Sequence, residues 1–122
     1  MNKPISGFFK EYRFLSNFWS AEVQYEGQGY PSVEHAFQAA KTLDPVCRIT
    51  IQETESPGEA KKLGQKVPIR DDWEDIKLGV MEDLVRQKFT KHPELQRKLI
   101  ETGKRELIED NWWGDVFYGV CN

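Results

Sequence analysis

Residues 70–89, RDDWEDIKLGVMEDLVRQKF, carry the strongest secondary-structure signal in the chain. The apolar residues recur at the spacing of one helix face, and acidic residues come early, where they interact favourably with the helix dipole. The recurring apolar residues are Trp73, Ile76, Val80, Met81, Leu84 and Val85. Asp71 or Asp72 is suitable as the N-cap. The segment therefore predicts a long amphipathic helix.

Four shorter segments also carry helix signals, because a capping residue or a proline stands where a helix would begin. They are the segment after Ser32, residues 44–53 opened by Asp44 and Pro45, residues 56–66 opened by Ser56 and ending near Gly64, and residues 92–103 opened by Pro93 and ended by Gly103. In 44–53 the β-branched run Ile49–Ile51 weakens the helix signal.

Strand signals are shorter. Residues 22–32 alternate and contain Gly27 and Gly29, which predicts a hairpin stopped by Pro31 and Ser32. Further short strands are predicted at residues 5–9, 105–110 and 116–120. This order of elements predicts an α+β fold, in which one mainly helical domain over residues 1–122 contains a small antiparallel sheet.

Composition excludes several classes of protein. With 122 residues, 39% hydrophobic and 30% charged, the chain is neither a membrane protein nor a disordered tail. No apolar run approaches the roughly 20 residues that span a bilayer, and the N-terminus has no secretion signal, so a cytoplasmic location is expected. The net charge of −3 argues against broad affinity for nucleic acid, although a local basic groove of Arg13, Lys41, Lys61 and Lys62 stays possible.

Metal and phosphate-loop motifs are missing from the sequence. The cysteines are Cys47 and Cys121 and the histidines are His35 and His92, and none of them has the spacing of a zinc site or of a metalloprotease helix. No glycine-rich phosphate loop is present either. We therefore expect no metal and no cofactor.

An unusual stripe of polar residues follows Ser32. At about 100° per residue, Glu34, Gln38 and Lys41 lie within about 60° of one another on the predicted helix. The stripe borders the face expected to be buried, where pKa values can shift. The core-facing residues are Val33, Ala36, Phe37 and Ala40, with His35 and Thr42 on the other flank. Taken alone, the stripe favours a solvated edge, since an early Glu and a late Lys both suit the helix dipole.

Two other stretches favour a binding site instead. In FLSNF, residues 14–18, a compact turn pinned by Phe14, Leu15 and Phe18 is expected to present Ser16 and Asn17 between aromatics. In NWWGD, residues 111–115, a glycine lets the backbone approach a partner, and a carboxylate stands close to tryptophan. Each feature also has a plain structural explanation as a turn.

Together these stretches resemble the NADAR (YbiA-like) family over roughly residues 8–119. The most specific motifs are the LSNF turn, the Pro-Ser-x-Glu-His start with Gln38-Ala-Ala-Lys41, and Trp113-Gly114-Asp115. The family pattern continues into a glycine-rich turn and a final helix with an Asn-x-Leu-Gly motif, whereas this sequence stops at GVCN. We therefore expect either a shortened chain or a short member with a more open pocket.

The resemblance implies a metal-independent N-glycosidase that cleaves a ribosyl C–N bond. Its substrate would be a phosphoribosylated riboflavin-pathway intermediate or ADP-ribosyl-guanine in nucleic acid. The resemblance assigns catalysis to Glu34, Lys41 and Asp115. Residues expected to contact the substrate are Arg13, Ser16, Asn17, Phe18, His35, Gln38, Trp113 and Gly114.

The expected mechanism gives each catalytic residue a role. Glu34 would act as acid/base or stabilise the charge that develops on the sugar, and Asp115 would orient a water or a ribose hydroxyl. Lys41 would either neutralise a phosphate or attack the opened sugar aldehyde to form a Schiff base. Trp113 and the other aromatic residues would stack the base. A non-catalytic ADP-ribose or NAD-binding module is the alternative, and a structural or interaction domain is a third class.

Overall fold

The computed structural model describes residues 10–102. A 3₁₀ helix at Lys10–Leu15 is followed by strands β1 (Ser20–Tyr25) and β2 (Gln28–Ser32) and by helices α1 (Val33–Ala40), α2 (Pro45–Gln52), α3 (Pro57–Gly64), α4 (Trp73–Lys91) and α5 (Pro93–Thr102). The predicted class, a mainly helical α+β fold with a small antiparallel sheet, is confirmed. The strands predicted at 5–9, 105–110 and 116–120 lie outside the described residues.

Local capping accounts for three of the helix starts. The side chain of Ser32 accepts a hydrogen bond from the His35 amide, and Ser56 accepts one from Glu59. Asp44 caps α2 through the amides of the second and third residues after it. Asp72 stands at the N-cap position of α4 without a side-chain cap bond. Its carboxylate binds the Arg70 guanidinium instead, with Nε to Oδ1 at 2.6 Å.

Strands β1 and β2 form the predicted hairpin, paired antiparallel. Glu26 and Gly27 both adopt positive φ, at 50° and 84°, which is the backbone of a tight two-residue hairpin turn. Strand β2 includes Pro31 and ends at Ser32, so the expectation that Pro31 stops the strand was wrong, whereas Ser32 ends it and caps α1 as predicted. Proline is tolerated there because a two-stranded sheet leaves an outer edge on which no amide donor is required.

Helix α4 supplies one side of the hydrophobic core. Its buried apolar residues include Met81, Leu84, Val85 and Phe89. The Phe89 ring packs edge-on against Phe14, with ring centroids 6.3 Å apart. The turn that follows the 3₁₀ helix is pinned by buried Phe14 and Leu15, as predicted. Phe18 was expected to pin it too, but that ring is 38% exposed.

Helix α1 lies in the middle of the described structure. It contacts both strands and helices α2, α3 and α4. Every residue of α1 except Phe37 is buried, and the Phe37 ring packs on Trp73 with centroids 5.1 Å apart. The sequence placed the stripe of Glu34, Gln38 and Lys41 at the border of the buried face. This was wrong for Glu34 and Gln38, which are buried where α3 covers the helix, whereas Lys41 is half-buried.

Across residues 10–102 no helix is long and apolar enough to cross a membrane. The cytoplasmic location expected from the sequence stays a prediction.

Candidate active site

Glu34 and Gln38 form a buried pair one helical turn apart on α1. The Gln38 Nε2 donates to Glu34 Oε2 at 2.6 Å. The two side chains are 0% and 4% exposed, respectively. The sequence predicted that they share a stripe, and the hydrogen bond between them agrees with that prediction.

Glycine is required where α3 approaches this pair. A Cβ atom at Gly64 would overlap the Gln38 Oε1 and lie only 2.7 Å from the Gln38 Cδ. Because Gly64 has no side chain, the α3 backbone packs directly against the Gln38 amide that is hydrogen-bonded to Glu34. Periodicity within α1 carries no information about this contact, because it comes from another helix.

Burial and nearby lysines act on Glu34 in opposite directions. Burial raises the pKa of the Glu34 carboxyl, and the hydrogen bond from Gln38 lowers it in part. The positive charges of Lys61 and Lys41 lower it further. The net pKa is raised, so the protonated form is favoured relative to an exposed glutamate. A carboxyl in this setting is suited to donating a proton.

Three buried acceptor oxygens around this pair have no hydrogen-bond partner among residues 10–102. They are Asn17 Oδ1, Glu34 Oε1 and Gln38 Oε1. Burying a polar atom without a partner is costly. A ligand that carries N–H or O–H donors would satisfy such atoms, as the hydroxyls of a ribose or the amino group of a base would.

The LSNF turn is joined directly to the start of α1. The Asn17 carbonyl accepts from the Glu34 amide at 3.1 Å, and the Asn17 Nδ2 contacts the Met81 sulfur at 3.5 Å. The Ser16 Oγ accepts from the Phe18 amide at 3.0 Å, which shapes the turn. The structure thus brings two separate sequence motifs together at Glu34.

Lys41 caps the other end of α1 and is half-buried. Its carbonyl accepts from the Arg70 amide at 2.8 Å, which fixes the backbone where the helix ends. Lys61 of α3 joins it in acting on Glu34. Of the other two residues of the expected basic groove, Arg13 and Lys62 are exposed.

His35 is held by protein groups on another flank of α1. Its Nε2 lies 3.3 Å from the Thr54 carbonyl and its Nδ1 lies 2.7 Å from the Ser32 Oγ. Because a carbonyl can only accept, Nε2 carries the proton and Nδ1 accepts from the Ser32 hydroxyl. Burial lowers the pKa of His35, which favours this neutral form. Its expected role in substrate binding stays a prediction.

Lys88 is a residue that the sequence reasoning missed. It is 1% exposed, and its Nζ donates to the Ser16 carbonyl at 2.7 Å. A signal was available, since Lys88 continues the helical spacing of Met81, Leu84 and Val85. Because lysine is normally exposed, Lys88 was not counted as part of the buried face.

The remaining predicted site residues, Trp113, Gly114 and Asp115, lie outside the described residues. Within residues 10–102, no group of three or more His, Cys, Asp or Glu side chains is placed to hold a metal ion.

The family model of the NADAR domain matches residues 7–121. The chain belongs to the NADAR family. A NADAR relative in Escherichia coli K12, the N-glycosidase YbiA, is 36% identical over 98% of this chain and 80% of its own length. The NMR structure of E. coli YbiA matches with a TM-score of 0.70 over 84% of this chain and 64% of that chain, slightly under two thirds of the solved structure.

Two other NADAR relatives differ in length. An N-glycosidase of Nostoc punctiforme is 30% identical over 87% of this chain and 74% of its own length. A riboflavin biosynthesis protein of Vibrio vulnificus is 34% identical over 94% of this chain, which corresponds to only 34% of that protein. A region similar to this NADAR chain is thus also part of a longer protein.

Proposed function

We propose that this protein is an N-glycosidase that hydrolyses the bond between C1 of a ribose and the nitrogen of a base. The observation that carries the proposal is the buried Glu34 carboxyl, whose Oε2 is bonded to Gln38 and whose Oε1 has no partner in the part of the chain that the structure describes. Membership of the NADAR family and the names of the relatives in E. coli and Nostoc support it.

In the proposed reaction, Glu34 supplies the proton that the leaving nitrogen needs. Cleavage of the C1–N bond develops positive charge on the sugar, and water then adds at C1. A carboxyl whose pKa is raised by burial keeps its proton to a higher pH than an exposed glutamate does. The second catalytic carboxylate in the proposal is Asp115, which orients the water or a ribose hydroxyl.

Lys41 has two alternative roles in the proposal. Its ammonium neutralises a substrate phosphate, or its amine attacks the opened sugar aldehyde, releases water and forms an imine. The proximity of Lys41 to Glu34 supports both roles.

The substrate that we favour is a ribosylated small molecule, such as a phosphoribosylated riboflavin-pathway intermediate. The net charge of −3 and the name of the Vibrio relative support this choice over ADP-ribosyl-guanine in nucleic acid. The acceptor oxygens of Asn17, Glu34 and Gln38 suit the hydroxyls of either substrate.

The test is a panel of ribosylated substrates of both kinds, incubated with the purified chain and analysed by chromatography for free base and free sugar. Glu34→Gln is expected to lose at least about a hundredfold in rate, because the amide cannot donate an acidic proton. Glu53→Gln, at an exposed glutamate that ends α2, is the matched control.

Two results would contradict the proposal. If Glu34→Gln stays within about threefold of wild type, the carboxyl is not the acid. If a panel substrate binds but neither base nor sugar is released, the protein is a binding module. Borohydride added during turnover separates the roles of Lys41, since an adduct that disappears in Lys41→Met indicates the imine and its absence indicates phosphate binding.

A further inference from the structure

Lys88 is buried without an acidic partner among the described residues. The ion pairs found within residues 10–102 do not include it, and the Phe89 ring lies 5.2 Å from its Nζ. Lysines are almost never fully buried unless they are paired. Burial lowers the pKa of Lys88 to about 7, which reflects the cost of keeping a charge there. A core position on α4 could hold an apolar residue without that cost.

The single polar contact described for Lys88 leads to the candidate active site. Its Nζ donates to the Ser16 carbonyl, which also accepts from the Trp19 amide at 3.1 Å. The Ser16 carbonyl belongs to the peptide unit that joins Ser16 to Asn17, so holding that oxygen fixes the orientation of the whole planar unit.

The next residue passes this constraint to α1. The Asn17 carbonyl accepts from the Glu34 amide, and the Asn17 side chain is held by the sulfur of Met81. Helix α4 therefore contacts the LSNF turn through two side chains, Met81 and Lys88. Through its Asn17 carbonyl, the LSNF turn contacts Glu34, the proposed acid.

We propose that Lys88 is a positioning residue, which holds the Ser16–Asn17 peptide so that Asn17 and Glu34 keep the geometry needed for catalysis. The inference rests on the proposed function for its catalytic consequence. The contact that it invokes can be tested without activity.

Thermal stability distinguishes a positioning role of Lys88 from a purely structural one. Replacing a buried charged group by an apolar residue of similar volume is often neutral or stabilising, and the Ser16 carbonyl would keep its bond from the Trp19 amide. Lys88→Met is therefore expected to keep or raise the Tm. Loss of activity without loss of stability identifies positioning, whereas a parallel loss identifies simple support of the fold.

The experiment compares wild type, Lys88→Met and Lys88→Arg by kinetics, thermal unfolding and NMR hydrogen exchange. Lys91→Met, at an exposed lysine on the same helix, is the matched control. Lys88→Met is expected to lower kcat by between about tenfold and a hundredfold, with KM within about threefold, since small displacements in a site have effects of that size. Lys88→Arg keeps a donor and should recover part of kcat.

Hydrogen exchange of the Glu34 amide gives the independent readout. In Lys88→Met this amide should exchange faster than in wild type, while amides in the middle of α4 should not change. Unchanged exchange at Glu34, or a parallel fall of kcat and Tm, would overturn the positioning role. If wild type turns over no substrate but the Glu34 amide still responds to Lys88→Met, the proposed function fails and the positioning contact stands.

Discussion

At Glu34, burial and a hydrogen bond act on one carboxyl in opposite directions. Burial favours the protonated form, and the amide of Gln38 favours the carboxylate because it donates to Oε2. The charges of Lys61 and Lys41 also favour the carboxylate. The net pKa of Glu34 is raised, but the hydrogen bond from Gln38 keeps it lower than burial alone would. Gln38 is thus a residue through which the pH range of activity can be adjusted.

Replacing Gln38 by leucine should shift the alkaline limb of the pH–rate profile to higher pH. The substitution removes the donor that stabilises the carboxylate, so the pKa of Glu34 rises further and the acid keeps its proton longer. The measurement is kcat/KM from pH 5 to 9 for wild type and Gln38→Leu. A limb that stays in place, or moves to lower pH, would show that Glu34 is not the group that titrates there.

Helix α3 contacts α1 through a glycine. Gly64 leaves room for the Gln38 amide, and Lys61 on the same helix acts on Glu34. Helix α3 therefore shapes the site twice, by a missing side chain and by a charge. The helix itself is set by local signals, a Ser56 cap and a proline at its first position.

Gly64→Ala should damage both stability and activity. The new methyl group would overlap Gln38, so the amide must move away from Glu34 or α3 must shift, at a cost of about 1–3 kcal/mol in the free energy of unfolding. Gly58→Ala in the same helix is the control, since its methyl group would meet only the Ser56 Oγ at 3.9 Å. Urea unfolding and kcat check both variants, and equal behaviour of the two would refute the contact.

The elements were predictable where a local signal decides them. Ser32, Asp44 and Ser56 cap their helices through amides two or three residues away, so the sequence contains both partners of each bond. The burial of Glu34 was not predictable in this way. It depends on α3 and on the LSNF turn, which are distant along the chain, and helical periodicity is blind to both.

At the scale of the whole molecule, α4 is both a core helix and a support for the site. One of its faces carries Leu84, Val85 and Phe89 into the core, and the same face carries Lys88 to the LSNF turn. The sequence predicted the helix and its apolar stripe. A lysine on that stripe is assigned to solvent by its residue type, and only packing reveals that it is buried.

Lys88 should make global stability depend on pH. Between about pH 7 and its ordinary pKa of 10.5, the unfolded chain binds a proton on Lys88 that the folded chain does not. The free energy of unfolding then rises with pH by at most about 1.4 kcal/mol per pH unit, and this contribution is flat below about pH 7. Urea unfolding at pH 6, 7, 8 and 9 measures it as the difference between wild type and Lys88→Met.

Lys88→Met removes the cost of burying a charged amine. Its free energy of unfolding should therefore exceed that of wild type by the largest amount at low pH. Lys91→Met, with an exposed side chain, should track wild type across the range. A difference between wild type and Lys88→Met that does not change with pH would show that the amine titrates outside this range.

The central position of α1 has a consequence for how this protein can be diversified. Every residue of α1 but Phe37 is buried, so Glu34, the proposed acid, is also part of the packed interior. Substitutions there are penalised twice, once in folding and once in turnover. Phe18 and Trp19, at the LSNF turn, are each more than a third exposed, so substituting them should cost less folding stability. A mutant library aimed at new substrates should therefore vary that aromatic pair and leave α1 intact.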